Sequence, residues 1–400
     1  MTSTNYMLLW FGAAVSIAEI ITGGLLAPLG FVQGTTAIVL GHIAGTTLLV
    51  LGGIIGSQTK LPAIMTTRLS FGVYGSYLFA ILNIMQLIGW TAVMIVAGAR
   101  SVNQITKMVW SFDHMTLWSV VIGALIFMWI AGGTDGMKKI NSAAVILLFA
   151  LTVVLSGVVF SNSELFTRQL SGDMTFGGAF ELSVIMPLSW LPLIADYTRF
   201  ARKTSEGAWG SWLGYFIGSC WMYIIGLGAA IIAGDSDPAA MMLAANLGLA
   251  ALGIVVLSTV TTTFLDAYSA GVSCVNLLPK ASERTLALVM TVIGAALAIV
   301  IDIEQYESFL YAIGSVFAPL FAVLLADYFI LGRRQADDGL LVNWGAVIIW
   351  ILGVVMYYQF VKLDLVVGAT VPVMIITAGV YALAARFMAG WKTVREVKAF

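Results

Sequence analysis

The chain has 400 residues, 60% of them hydrophobic and 10% charged, with a mean hydropathy of +0.99; soluble domains carry roughly 25% charged residues. That composition excludes a soluble globular protein, and a formal net charge of -1 gives no basis for a nucleic-acid partner. A membrane-crossing helix takes about 20 mainly apolar residues, so the chain is read as an all-α, polytopic membrane protein of about twelve spans with no separate soluble domain.

Apolar runs broken by polar clusters place spans 1 to 12 near residues 7–31, 35–56, 77–99, 116–133, 140–160, 177–199, 209–233, 248–275, 285–302, 307–331, 343–361 and 365–388. The polar start lacks Lys and Arg, and the apolar run behind it is too long for a signal-peptide core, so span 1 is expected to stay uncleaved. Alternate loops divide the 19 Lys and Arg residues unevenly: only 4, Arg100, Lys107, Arg168 and Lys362, fall in one set. The other set includes Lys138, Lys139, Arg199, Arg333, Lys392 and Lys398. Because cytoplasmic loops hold the excess, both termini are expected in the cytoplasm of a multi-pass protein of the cell (inner) membrane. The acidic loops around Asp235, Asp237, Asp302 and Glu304 then face outward.

Span 1 carries Glu19 and the helix breakers Thr22-Gly23-Gly24 and Pro28 well inside its apolar run. Backbone freed within a membrane must find partners, and broken helices of this kind line the central cavity of inverted-repeat transporters. His42 in span 2 is read as a packing residue before a proton relay. Span 3 sets Gln86 one helical turn before Trp90, with Gly89 between. An indole can stack on a flat heterocycle while an amide supplies a donor and an acceptor to its edge, and Gly89 would permit close approach. The bland alternative is an interfacial tryptophan and a helix–helix hydrogen bond.

Span 6 repeats the broken pattern as Pro187-Leu188-Ser189-Trp190-Leu191-Pro192, with Ser189 and Trp190 as further contact candidates. Span 6 comes five spans after span 1, an odd offset, so a second five-helix unit would sit inverted relative to the first. Span 8 contains Ser258, Thr261 and Thr262 on one helical face ahead of Asp266. Hard hydroxyl oxygens completed by unwound carbonyls suit sodium; alternatively these hydroxyls only hydrogen-bond within and between helices. Glu19 and Asp266 are intramembrane acids, each a functional candidate. Asp196 with Arg199, and Asp327 ahead of Arg333, read as structural ion pairs or gate elements at helix ends. Cys220 and Cys274 fall inside spans and are expected as free buried thiols. Two scattered histidines and two cysteines supply no catalytic or metal cluster, which argues against an enzyme, and no repeated filter indicates a channel.

The stretches Thr66-Thr67-Arg68-Leu69-Ser70-Phe71-Gly72-Val73-Tyr74-Gly75-Ser76, Ala195-Asp196-Tyr197-Thr198-Arg199-Phe200 and Ala326-Asp327-Tyr328 with Arg333-Arg334 resemble the nucleobase:cation symporter-1 family. The resemblance runs nearly end to end and is nearest to cytosine permeases, especially a short-chain branch for hydroxymethylpyrimidine, the thiamine precursor. It implies a five-plus-five inverted-repeat (LeuT-like) fold in a single transporter domain spanning 1–400. Residues 6–160 and 177–331 would be the repeats, and 343–388 two additional helices. It further implies ion-ligating carbonyls near Gly12 and Val15, Ser16 at the substrate, and Ser258, Thr261 and Thr262 as the sodium hydroxyls. Trp90 matches the family's stacking tryptophan, and Ser189 a polar contact of span 6. Two departures weigh against cytosine itself. Gln86 lies four residues before the tryptophan rather than three, a rotation of about 100°, and Glu19 and Asp266 stand where neutral side chains are expected. The implied activity is sodium-coupled import of a small aminopyrimidine by alternating access, without a cofactor, nucleic acid or obligate protein partner; the alternatives are cytosine or another nucleobase, with proton coupling, then hydantoins or allantoin. On the first count Glu19 or Asp266 would accept from the cargo's exocyclic amine.

Overall fold

A computed structural model describes residues 1–132, 134–168, 170–234, 249–300, 306–337, 339–387 and 394–395. Asp235, Asp237, Asp302, Glu304, Lys392 and Lys398 lie outside the described residues, and the topology expected of those loops goes with them.

Helix occupies every predicted span. Span 1 is two helices, α1 (Ser3–Ala14) and α2 (Ile17–Leu25); span 2 is α3 (Phe31–Thr59). Two four-residue helices, α4 (Ala63–Thr66) and α5 (Arg68–Phe71), lead into span 3, α6 (Val73–Trp110). Next come α7 (Met115–Ala131) and α8 (Thr134–Ser161), then span 6 as α9 (Phe176–Ser189) and α10 (Ile194–Thr198), and span 7 as α11 (Thr204–Ala233). Spans 8 to 12 are α12 (Leu249–Val275), α13 (Glu283–Leu297), α14 (Tyr306–Leu325), α15 (Trp344–Leu363) and α16 (Thr370–Phe387). Among the described residues, 6 helices are long and apolar enough to cross a membrane alone, and α1 with α2 makes a bent seventh. Helices thus stand in order at the expected positions, and a count of twelve crossings goes beyond these six or seven. A short strand pair, β1 (Leu340–Val342) with β2 (Val394–Arg395), departs from the all-helical expectation.

The break in span 1 lies at Val15-Ser16, where the chain bends by 59°, not at Thr22-Gly23-Gly24. Val15 (ψ 77) and Ser16 (φ -135, ψ 158) leave the helical region. Ser16 then caps α2, its Oγ accepting from the Glu19 N–H, which satisfies one of the donors a helix start leaves open. Glu19 therefore occupies the first turn of α2 rather than an unwound segment. Thr22, Gly23 and Gly24 are helical, and α2 runs on to Leu25. Gly23 serves packing: a Cβ there would meet the Tyr223 carbonyl oxygen at 2.2 Å.

Small-residue stripes decide how the broken helices are held, as is usual where apolar burial cannot distinguish protein from lipid. Gly210, Gly214, Gly218 and Gly226 of α11 lie against the backbones of α1 and α2. Gly41, Gly45, Gly52 and Gly56 of α3 receive Ser183, Pro187, Leu191 and Ala195 of α9, its break and α10. The two straight helices act as rails for the two broken ones. Burial follows: 94% of the apolar window of Phe176–Thr198 is inside the protein, against 28% for α15. The broken spans form the centre, and α15 the periphery.

Candidate functional site

The residues around the span 1 break meet α6, α9 and α12 at a small, closed-down cavity of about 10 Å³ lined by Ser16, Ala18, Glu19, Trp90, Met94, Met186, Ser189, Trp190, Thr262 and Asp266. Met94 and Met186 were not singled out by the sequence; an unbranched, polarisable side chain in an apolar run carries no signal separating it from core.

Trp90 is 6% exposed, which removes the interfacial-belt alternative. Phe309 and Tyr306 of α14 hold its ring edge-to-face, with centroids 5.4 and 6.0 Å away. Trp190 is braced likewise by Trp10 at 5.7 Å and Tyr215 at 6.5 Å. Both indoles are fixed by their neighbours, so an aromatic guest would meet a preformed surface.

Gly89 does not open onto this cavity. A Cβ there would meet the Phe309 ring at 2.8 Å, so the glycine makes room for Phe309, the residue that braces Trp90. Gln86 also differs from expectation. Its two amide hydrogens go to Asn83 Oδ1 (3.0 Å) and to the Ser189 carbonyl (3.3 Å), and both acceptors fix the amide's orientation. Asn83 in turn donates to Ser273 Oγ and to the Pro192 carbonyl. Two α6 amides thereby satisfy carbonyls released by the span 6 break. Gln86 is not among the residues that line the cavity; it retains only its Oε1, buried and without a partner among the described residues, which can accept but not donate. Asn83 was missed because a lone buried amide reads as ordinary helix pairing.

The two cavity acids differ sharply. Glu19 accepts from Tyr215 Oη on Oε1 (2.8 Å), and its Oε2 lies 2.7 Å from Ser219 Oγ. Ser219 Oγ lies 2.6 Å from His42 Nε2, whose Nδ1 is 2.8 Å from the Ile38 carbonyl. Asp266 is 4% exposed and makes no side-chain hydrogen bond among the described residues. Of the two acids, Glu19 is thus engaged by α11 and Asp266 is not.

At the break, the Ser16 N–H turns to the Ala14 carbonyl and the Glu19 N–H to Ser16 Oγ. In a continuous helix these would close on the Gly12 and Val15 carbonyls, which are thereby released. On α12, Thr262 Oγ1 is buried without a partner among the described residues, and Ser258, Thr262 and Asp266 recur every four residues on one side. Thr261 donates to the Leu257 carbonyl at 2.8 Å, which leaves its oxygen lone pairs available to a cation.

Away from the cavity, the Asp196 carboxylate accepts from the Ala63 N–H at 2.9 Å, while Arg199 donates from Nε to the Asp196 backbone carbonyl at 3.2 Å and forms its ion pair with Glu283 at 3.8 Å. Asp327 does pair with Arg333, at 2.9 Å, and also accepts from Tyr381. Cys220 and Cys274 are buried and free. A further acid was passed over in the sequence: Glu181, inside α9 and 2% exposed. It accepts from Tyr357 Oη (2.6 Å), Thr370 Oγ1 (2.7 Å) and the N–H groups of Ala369 and Thr370 (2.8 and 2.9 Å). An acid within an apolar span was the available signal.

Two discontinuous helices flanking a closed central cavity, with rail helices behind each, define a secondary membrane transporter of the five-plus-five class. The whole chain carries that architecture: the inward-facing conformation of Mhp1 matches with a TM-score of 0.80, covering 97% of this chain and 90% of Mhp1 at 19% identity. Mhp1 closed around bromovinylhydantoin, described as a nucleobase-cation-symport-1 family transporter, matches with a TM-score of 0.78, covering 97% and 92% at 19% identity. At such identity the likeness carries the fold. The sequence carries the family: residues 1–384 match the permeases for cytosine/purines, uracil, thiamine and allantoin, and the chain belongs to that nucleobase:cation symporter family of transporters. Among relatives, the cytosine permease of Escherichia coli strain K12 is 25% identical over 308 residues, 75% of this chain and 72% of that one. The hydantoin permease of Microbacterium maritypicum is 20% identical over 358 residues, 82% and 72% of the two chains.

Proposed function

We propose that this protein is a sodium-coupled importer of a small aminopyrimidine of the hydroxymethylpyrimidine kind, working by alternating access. The observation that carries the reading is Asp266, a carboxyl group lining the cavity that makes no side-chain hydrogen bond among the described residues. An acid kept unpartnered in an apolar setting is costly unless a ligand supplies the donor. An exocyclic amine, or a protonated ring nitrogen beside it, supplies that donor as a charge-assisted hydrogen bond. Trp90 and Trp190 stack on the ring, Gln86 Oε1 accepts a second hydrogen, and Ser16 and Ser189 line the remaining wall.

Sodium in this reading lies between the released Gly12 and Val15 carbonyls and the hydroxyls of Ser258, Thr261 and Thr262. It ties the bent span 1 to α12 and raises cargo affinity by linkage. Residues 6–160 and 177–331 move as inverted repeats, 343–388 stand outside them, and both termini face the cytoplasm; the parity of the broken helices and the Lys/Arg bias support this arrangement.

The second reading is a permease for cytosine or another nucleobase, driven by protons. The naming of the relatives favours it, and Gln86 Oε1 would serve an amino base equally well. Competition against labelled hydroxymethylpyrimidine on the purified protein in sodium buffer separates the two. The first reading expects cytosine and hydantoin to compete at least about tenfold more weakly, a difference of about 1.4 kcal/mol. Cytosine displacing the label at lower concentration than hydroxymethylpyrimidine itself transfers the assignment to the second.

A further inference from the structure

Hydrogen-bond counting around Glu19 leads beyond the cargo site. The Ile38 carbonyl can only accept, so His42 Nδ1, 2.8 Å away, carries a hydrogen. In a neutral imidazole Nε2 is then bare and must accept from Ser219 Oγ at 2.6 Å. The single hydroxyl hydrogen of Ser219 is thereby used. Its contact with Glu19 Oε2 at 2.7 Å is satisfied only if Glu19 carries a proton and donates it to Ser219. Tyr215 meanwhile donates to Glu19 Oε1, and every group in the chain Ile38–His42–Ser219–Glu19–Tyr215 is paired.

One other arrangement satisfies the same distances: an ionised Glu19 accepting from Ser219, which accepts from a doubly protonated His42. It holds the same number of protons, moved two bonds along the chain, but it separates charge in a buried site. The neutral form avoids that cost. Removing the proton leaves one hydroxyl hydrogen for two acceptors, with bare lone pairs facing each other at under 2.8 Å. The deprotonated site cannot keep both Ser219 contacts, so the chain that ties α2 to α3 through α11 parts either at Glu19 or at His42.

We propose that Glu19, Ser219 and His42 form a single-proton binding site whose filling holds α2 in the closed-cavity position, so that a proton is a coupling ion alongside sodium. The titratable groups facing the site are Tyr215, Cys220 and Tyr223 on α11, Tyr306 on α14, and Asp266 across the cavity on α12. Tyr223 packs edge-to-face on His42 with centroids 4.7 Å apart, and Tyr306 is occupied by Thr22 and the Ala18 carbonyl. Among the described residues no Lys or Arg forms an ion pair with Glu19, so His42 is the basic partner. Glu19 lines the cavity itself, which joins proton occupancy to the cargo's surroundings. The coupling role rests on the transport reading above; the proton site does not.

Two measurements test the proposal separately. The first needs no cargo: nitrogen-15 histidine NMR, where His42 and His114 are the 2 histidines, and infrared spectra of wild type minus Glu19→Gln. The expected result is a neutral His42 with its hydrogen on Nδ1, and at neutral pH a difference band from one protonated carboxyl that vanishes at alkaline pH. A neutral His42 beside an ionised Glu19 at neutral pH, or a bare Nδ1, overturns the proposal; the NMR decides on wild type alone should the variant not fold. The second uses proteoliposomes loaded with a pH-sensitive dye and given hydroxymethylpyrimidine or cytosine. Influx should acidify the lumen and rise by up to about tenfold per unit fall in external pH, the slope of one proton, and Glu19→Gln should lose both effects. Uptake that is flat in pH and leaves the lumen unchanged overturns the coupling role. No uptake of either compound counts against the transport reading and leaves the spectroscopy to decide the proton site.

Discussion

Asp266→Asn is expected to weaken hydroxymethylpyrimidine binding by about ten- to a hundredfold, about 1.4–2.8 kcal/mol, while leaving the thermal midpoint unchanged or raising it. The two halves of that result have one cause. Asp266 is buried and makes no side-chain hydrogen bond among the described residues, so folding gains nothing from its carboxyl group and bears the cost of burying it. The amide keeps the shape and the polarity, cannot ionise, and replaces a charge-assisted acceptor by a neutral one, worth about half as much. Titration of ligand-quenched tryptophan fluorescence and a melting curve in the same detergent check both halves. A parallel loss of binding and stability would mean that Asp266 is a structural residue with a partner of its own, and the cargo assignment would fall with it.

Glu181→Ala is expected to behave in the opposite way, losing about 3 kcal/mol of stability or more, since each buried donor left without a partner costs about 1–3 kcal/mol. Glu181 gathers two hydroxyls and two backbone N–H groups from α15 and the start of α16, and its removal strands all four donors in the interior. The Ala369 and Thr370 N–H groups belong to a helix start, where a carboxylate is further favoured by the helix dipole. Gly368 reads the same constraint from the backbone: its φ is +65°, and a Cβ would lie 2.3 Å from Glu181 Oε2. Thermal melting in detergent, with Glu181→Gln as the milder companion, checks the effect; an unchanged midpoint for Glu181→Ala would remove this contact as the tie between α9 and the last two helices.

What the sequence made legible follows from how local each cause is. Composition and apolar run length need no tertiary knowledge, so the membrane class and the order of helices could be read directly. Span 6 announced its break because Pro187 and Pro192 lack the N–H that a helix requires. Span 1 did not: Val15-Ser16 contains neither Gly nor Pro, and the visible Gly23-Gly24 pair is helical, with Gly23 making room for the α11 backbone. Family resemblance, rather than local propensity, directed attention upstream to Gly12 and Val15. Pairwise logic between distant helices was the hardest to see. Gly89 looked like space for a guest and instead admits Phe309 of α14, while His42 looked like core and joins Ser219 of α11. Both partners lie more than 170 residues away, and nothing in a single sequence places them together.

The central claim, an aminopyrimidine cargo driven by sodium, is tested most directly by initial uptake of labelled hydroxymethylpyrimidine into proteoliposomes with and without an inward sodium gradient, at equal pH on both sides. The account predicts concentrative uptake with the gradient and slow equilibration without it. Uptake that is indifferent to sodium and follows an imposed pH gradient alone would contradict it.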